Sequence, residues 1–114
     1  MAFTAEYCAN PFIVKFEGAG AAWAANKAWT PPAKCRVIDA WLVLTGTAAG
    51  TIQITDGTNA ITAAETLATR DKDIQSMASI DDAHRDLIPG TDTLTLVPGS
   101  SPIADLYVLL VWTT

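Results

Sequence analysis

Apolar and polar residues alternate with a period of two along much of this chain, and turn-forming residues interrupt the alternation at short intervals. A period of two is the spacing of side chains on one face of a β-strand. The clearest segments are residues 51–55 and 93–97, where every second residue is Ile or Leu. Residues 35–45 and 104–113 are apolar at nearly every position, which indicates strands that are covered on both faces.

Further strands are predicted at residues 12–17, near Trp23 and at residues 74–80. Turn dipeptides such as Asp56-Gly57 separate the segments. About seven or eight short strands joined by turns predict an all-β chain. The favoured architecture is an antiparallel β-sandwich of jelly-roll or related Greek-key type.

One short connecting helix is predicted near residues 61–69. Thr62 and Glu65 have the spacing of a capping box, in which the two side chains satisfy free N–H groups at a helix start. Ile61, Ala64 and Leu67 would form a narrow apolar stripe. A helix of about two turns is a connector, because helices this short are stable only when other elements hold them.

The chain is predicted to consist of an extended N-terminal arm, residues 1–11, and a single β-sandwich domain, residues 12–114. Residues 1–10 have no sustained period, and Pro11 blocks continuation of a helix. A chain of 114 residues allows one hydrophobic core and no second domain.

The two longest strands carry more apolar surface than a two-layer sandwich buries. For residues 35–45, one face is predicted to carry Ile38, Ala40, Leu42 and Leu44, and the other Val37, Asp39, Trp41 and Val43. Trp41 and Trp112 are predicted to lie in the core. The remaining apolar face has to meet a helix, a loop or another subunit, because a sandwich covers one face of each sheet.

We therefore expect a homo-oligomer. Its contact surface is predicted to include Leu42 or Val43, together with Leu109 or Val111.

Composition supports this expectation and excludes several function classes. Half of the residues are hydrophobic, 17% are charged and the mean hydropathy is +0.25, whereas about 25% charged residues is usual. No apolar run approaches the ~20 residues of a membrane-spanning helix, and no signal peptide is apparent. A formal charge of −5 argues against nucleic-acid binding, which needs clustered Lys and Arg.

The two cysteines, Cys8 and Cys35, have no spacing typical of a zinc site. Two buried thiols in a chain that folds in a reducing cytoplasm is the favoured interpretation. A disulfide that ties the arm to a strand is the alternative.

His84 is the one histidine, and it lies between charged residues on a predicted loop. A solvated or interface histidine is favoured over a catalytic one, since no serine lies in a Gly-x-Ser-x-Gly turn. We therefore predict no enzymatic activity, no catalytic residues and no cofactor.

Several acidic residues fall in two predicted loops. These are Asp71, Asp73, Asp81, Asp82, Asp86 and Asp92. Solvated carboxylates are favoured over a calcium site, because the segments do not match the spacing of a calcium-binding loop. We predict no bound metal.

The remaining tryptophans, Trp23 and Trp29, lie in a region rich in loops and are candidates for a subunit or partner interface, where Trp is enriched. Burial in the core and binding of a ligand are the alternatives. Residues 1–36 carry four basic against two acidic residues, whereas residues 37–114 are acidic, so the two regions could meet across a subunit boundary, although a chance distribution is equally compatible. The candidate interface residues are Phe3, Tyr7, Phe12, Lys15, Trp23, Lys27 and Trp29.

Between about residues 35 and 114 the chain resembles small virion proteins of tailed phages, in particular the capsid decoration, or cement, proteins with a β-sandwich fold. The segments that carry the resemblance are residues 37–46 (VIDAWLVLTG), 51–57 (TIQITDG), 59–62 (NAIT), 79–83 (SIDDA), 89–94 (PGTDTL) and 106–111 (LYVLLV).

The resemblance implies a non-enzymatic protein, made in the host cytoplasm, that binds the exterior of an assembled capsid and stabilises it. It further implies two partners, the major capsid protein and other copies of the chain, with a trimer favoured, and neither nucleic acid nor membrane. Residues 1–11 and the loops around Trp23 and Trp29 are predicted to make the contacts. The alternatives are a head-fibre or tail-associated phage protein and a carbohydrate-binding β-sandwich module.

Overall fold

The computed structural model describes residues 10–46, 50–67, 74–77, 79–80 and 83–113. These ranges contain nine β-strands and no helix. The strands are β1 (Phe12–Phe16), β2 (Lys27–Trp29), β3 (Cys35–Leu44), β4 (Thr51–Thr55), β5 (Glu65–Thr66), β6 (Ile74–Ser76), β7 (Asp86–Leu87), β8 (Leu94–Gly99) and β9 (Ala104–Trp112).

The strands form two antiparallel sheets. The five-stranded sheet has the order β1-β9-β3, and the short strands β6 and β7 both pair with the remaining side of β3. The four-stranded sheet has the order β2-β8-β4-β5. The two sheets pack together, which confirms the predicted all-β class and antiparallel sandwich.

Side chains from the facing sides of the sheets form one hydrophobic core. Their burial supplies the main favourable term in folding, about 25 cal/mol per Å² of apolar surface. The members with no exposed surface are Cys35, Val37, Ala40, Leu42, Ala104, Leu106, Val108 and Leu110 from the five-stranded sheet, and Ile52, Ile54, Leu94 and Leu96 from the four-stranded sheet.

The predicted helix near residues 61–69 is wrong over residues 61–67. Thr62 does not cap a helix, because its hydroxyl accepts a hydrogen bond from the Ile54 N–H (3.2 Å) and its carbonyl accepts one from the Gln53 side chain. Glu65 and Thr66 instead form β5. Residues 68 and 69 lie outside the described residues.

The predicted alternation in β3 fails at one position. The register with β9 shifts between Val37 and Asp39, so β3 has a bulge there. A bulge inserts one extra residue and changes the phase of the strand. Val37 therefore points into the core, and Ile38, predicted on the same face as Ala40, is exposed.

Trp41 was predicted to lie in the core and does not. It lies between Ala40 and Leu42, which both point inward, so the period of two directs Trp41 outward. Leu42, one of the two candidates on β3 for the subunit contact, is fully buried in the core. Val43, the other candidate, lies on the same side of the sheet as Trp41. Trp112 lies at the margin of the core, partly buried.

The strand predicted near Trp23 lies further along the chain, at β2. Residues 18–21 form a turn that is closed by the Ala21 N–H and the Gly18 carbonyl, and Gly20 has a φ of 77°. Glycine adopts this left-handed geometry without steric cost. Trp23 therefore lies in the loop before β2. Of the predicted arm, residues 1–11, the structure describes Asn10 and Pro11.

Candidate functional site

A groove with a volume of about 180 Å³ lies between β1 and β2, which are terminal strands of the two sheets among the described residues. We call it the edge groove. It is lined by Val14, Lys15, Phe16, Glu17, Trp23, Lys27, Ala28 and Trp29.

The loop between β1 and β2 is fixed to the start of β9. The Trp23 indole N–H donates to the Ala104 carbonyl (2.8 Å), and the Trp23 backbone N–H donates to the Pro102 carbonyl (2.9 Å). The Gly18 N–H donates to the Asp105 carboxylate (2.8 Å). A Cβ on Gly18 would lie 3.0 Å from the Ala104 carbonyl oxygen, so the close approach requires a glycine there.

Three aromatic rings form a wall beside the groove. Phe12 stacks on Trp112 with ring centroids 4.1 Å apart and contacts Trp29 at 6.1 Å in a tilted arrangement. The Asn10 side chain accepts a hydrogen bond from the Trp112 N–H (3.1 Å), which joins the chain before β1 to the end of β9. Rings held in this way lose little conformational freedom when a partner packs against them.

The charges of the edge groove are mainly positive. Lys15 and Lys27 are exposed, and the Lys15 ammonium lies 3.6 Å from the Glu17 carboxylate and 5.4 Å from the centroid of the Tyr107 ring. Hydrogen bonding to Tyr107 and the charge of Glu17 raise the pKa of Lys15 despite an opposing desolvation effect. Two cations against one anion contrast with the formal charge of −5 of the chain.

The structure brings together five of the seven predicted interface residues. Lys15, Trp23, Lys27 and Trp29 line the edge groove, and Phe12 contacts Trp29 from the adjacent wall. The other two, Phe3 and Tyr7, lie outside the described residues. The period-two pattern of residues 12–17 and the nearby Trp-rich loop were the signals for this set.

A second surface is the side of the five-stranded sheet that faces away from the core, and we call it the outer face. The sequence indicated it through Val43, Leu109 and Val111, but it did not indicate the aromatic pair at its centre. There Trp41 stacks on Tyr107, with ring centroids 5.7 Å apart and the ring planes 1° from parallel. The members of the outer face are Ile13, Lys15, Arg36, Asp39, Trp41, Val43, Ile74, Ser76, Asp86, Asp105, Tyr107, Leu109 and Val111. The stacked pair was detectable only through the strand register.

A second concavity, of about 330 Å³, is larger than the edge groove but offers no activated nucleophile. Its lining includes Cys35 and an ion pair between Arg36 Nε and Asp86 Oδ1 (2.5 Å). Burial raises the pKa of Cys35 to about 11, so the thiol is protonated near neutral pH. Cys35 is a free thiol, in agreement with the favoured interpretation for this residue; Cys8 lies outside the described residues.

Asp56 lies in the turn that follows β4, and His84 lies in a separate turn before β7. Asp56 is buried, and its Oδ1 accepts hydrogen bonds from the Thr58 and Asn59 N–H groups (2.9 and 2.6 Å). His84 Nδ1 lies 4.0 Å from Asp56 Oδ2. Burial acts to raise the pKa of Asp56, but the hydrogen bonds from Asn59 and Thr58 outweigh it and hold the pKa below its usual value.

The acidic residues do not form a metal site within the described ranges, where no group of three or more His, Cys, Asp or Glu side chains converges. Asp86 pairs with Arg36, whose hydrogen bond lowers the pKa of Asp86, and Asp92 accepts a hydrogen bond from the Ile88 N–H (2.9 Å). The other four, Asp71, Asp73, Asp81 and Asp82, lie outside the described residues.

In comparisons with known proteins, no family model, no curated protein and no solved structure matches this chain. Within the described part of the chain, no helix has the length and apolar character needed to cross a membrane.

Proposed function

We propose that this chain is a non-enzymatic virion structural protein that binds the exterior of a tailed-phage capsid as a homo-oligomer and stabilises it. The proposed fold is a sandwich of jelly-roll or Greek-key type, and the proposed partner is the major capsid protein. The observation that supports the proposal beyond the sequence resemblance is the edge groove, which combines aromatic side chains with two lysines.

The aromatic side chains of the groove suit a protein partner. Trp29 and Phe12 are partly exposed and held by ring contacts, so they offer apolar area at a small entropic cost. Tryptophan side chains of this kind carry much of the binding free energy in protein interfaces.

The lysines of the groove suit an acidic partner surface. Lys15 and Lys27 create a locally positive region on a chain that is otherwise negative. Such a region orients the chain during encounter, because opposite potentials attract and like potentials repel. We infer that the capsid patch opposite the groove is acidic and partly apolar.

The N-terminal arm, residues 1–11, completes the proposed contact. We propose that it contacts the capsid or a neighbouring protomer, with Phe3 and Tyr7 as its apolar side chains. β1, which follows the arm, is paired on one side by β9. The oligomer that the resemblance favours is a trimer.

The test uses capsids assembled from the major capsid protein encoded in the same genome, and co-sedimentation measures occupancy. We expect the wild-type chain to saturate the capsids and Lys27→Glu to bind about tenfold more weakly. The matched control is Lys34→Glu, an exposed lysine outside the groove, which should bind like the wild type. A chain lacking residues 1–9 tests the arm separately.

Two outcomes would reject the proposal. The wild-type chain could fail to sediment with the capsids, or Lys27→Glu and Lys34→Glu could bind equally well. A glycan array provides the test of the carbohydrate-binding alternative. We expect no glycan to bind, and a specific glycan hit would favour that alternative.

A further inference from the structure

The outer faces of the two sheets differ in polarity. On the four-stranded sheet, the outward residues of β4 are Thr51, Gln53 and Thr55, as expected of a face in contact with water. On the five-stranded sheet, the outward residues include Ile13, which is 53% exposed, and Ile74, which is 73% exposed. The apolar outer face therefore departs from the usual pattern of a two-layer sandwich.

The apolar residues of the outer face are continuous across four strands. Antiparallel pairing sets Ile13 beside Leu109 and Tyr107 beside Trp41, and it sets Val43 beside Ile74. The face extends from β1, through β9 and β3, to β6. With strands about 4.8 Å apart and a rise of about 3.4 Å per residue, it covers on the order of 500 Å².

This area approaches that of a small protein contact. It lies in the upper part of the range of about 300–600 Å² for the largest apolar patches on monomers, which are often functional. The smallest specific complexes bury about 600 Å² per partner. The stacked rings of Trp41 and Tyr107 lie near the middle of the face. Aromatic side chains near the centre of an interface make its strongest contacts.

The charges on the outer face indicate what covers it. The chain carries a formal charge of −5, so two copies repel one another unless they meet through a surface with little net charge. The outer face carries two cations, Lys15 and Arg36, and three anions, Asp39, Asp86 and Asp105. Arg36 forms an ion pair with Asp86, and Asp105 already accepts the Gly18 N–H. It is therefore nearly neutral, as contact between copies requires.

We propose that a second copy of this chain covers the outer face, with Trp41, Tyr107 and Leu109 at the centre of the contact. The inference rests on the homo-oligomer in the proposed function but not on capsid binding. Burial of these side chains accounts for the excess of apolar over charged residues in the chain. The β2 side of the edge groove, with Lys27 and Trp29, remains available for the capsid, whereas Lys15 belongs to both surfaces.

The test is the mass of the full chain in solution, measured by sedimentation equilibrium over a range of concentrations. We expect the wild type to sediment as a multiple of 12.0 kDa. The double variant Ile13→Asp, Ile74→Asp introduces a charge at each side of the outer face and should sediment as a monomer. The control is Thr66→Asp, since Thr66 is exposed and lies on the four-stranded sheet, beside Thr51.

A second variant keeps the test decisive if the first one unfolds. Ser76 is exposed and lies beside Trp41, so Ser76→Arg adds a large charged side chain without removing a core contact. A monomeric wild type at every concentration would overturn the inference, as would a folded Ser76→Arg that keeps the wild-type mass. Neither outcome involves capsids, so capsid binding would still stand or fall by co-sedimentation.

Discussion

The two sheets of this sandwich carry similar side chains on the faces that point into the core and different side chains on the faces that point away from it. Both direct Leu, Ile and Val side chains into the shared core, where Leu106 and Ile54 are fully buried. On the outside, one sheet presents the threonines and glutamine of β4, and the other presents Trp41, Leu109 and Ile74. Folding explains the inner faces, and the contact with another copy that we propose would explain the apolar outer face.

The largest expected effect separates the two faces of β9. Leu106→Ala removes a fully buried side chain and should lower the free energy of unfolding by about 3 kcal/mol. Leu109→Ala, from the partly exposed side of the same strand, should cost about 1 kcal/mol or less in the monomeric Ile13→Asp, Ile74→Asp background. Urea unfolding measures both, and equal losses would remove the distinction between the faces.

The second-largest effect is a loss of stability from a substitution that lies on neither the inner nor the outer face of a sheet. Asp56→Ala removes the carboxylate that accepts the Thr58 and Asn59 N–H groups, so the free energy of unfolding at pH 7 should fall by about 2 kcal/mol. The mass of the oligomer should not change. Loss of the oligomer in this variant would show that the mass reports stability and not the outer face.

The pH dependence follows from the lowered pKa of Asp56. A carboxyl whose pKa is lower in the folded state stabilises the protein above its unfolded pKa of about 4. This contribution is lost as the pH falls through the folded pKa. The difference between wild type and Asp56→Ala should therefore be constant from pH 7 to 5 and shrink below pH 4, and a difference that grew on acidification would contradict this.

A smaller effect is expected at the loop that closes the edge groove. Trp23→Phe keeps an aromatic ring but removes the indole N–H that donates to the Ala104 carbonyl, so it should cost about 1 kcal/mol. In this variant, the occupancy of capsids should fall by a larger fraction than the mass of the oligomer in solution, because Trp23 lines the edge groove and not the outer face. An equal fall in both would argue that one surface serves both contacts.

The smallest effect concerns reactivity and not stability. Cys35 lies on the inner side of β3 with a pKa of about 11. In a Cys8→Ser background, alkylation at neutral pH should be slow and should speed up only when urea unfolds the chain. Rapid labelling without urea would show that the inner face near Cys35 is open to solvent.

The period of two along the chain was enough to predict the sandwich. Residues 51–55 alternate strictly, and β4 has those bounds with Ile52 and Ile54 inward. The pattern also placed an excess of apolar residues in 35–45 and 104–113, which became β3 and β9. Alternation within a strand depends on local backbone geometry, so it can be recognised from the sequence alone.

Features that depend on the partner strand were not predictable in this way. The bulge at Ile38 appears only in the register of β3 against β9. Thr62 matches a capping box, yet tertiary hydrogen bonds to β4 hold it outside a helix. The stacking of Trp41 on Tyr107 joins residues far apart in sequence. For the edge groove, the sequence indicated several of the lining residues as interface candidates, but it did not indicate that they lie together between β1 and β2.

Hydroxyl-radical oxidation of Trp41 and Tyr107, with Trp23 as internal reference, tests most directly whether another copy covers the outer face. Oxidation rates follow the exposure of each side chain, and the reference residue lies away from this face in the edge groove. We predict that Trp41 and Tyr107 are oxidised several-fold more slowly in the wild type than in the Ile13→Asp, Ile74→Asp variant, while Trp23 is oxidised equally in both. Equal rates for Trp41 and Tyr107 in the two proteins would contradict the account.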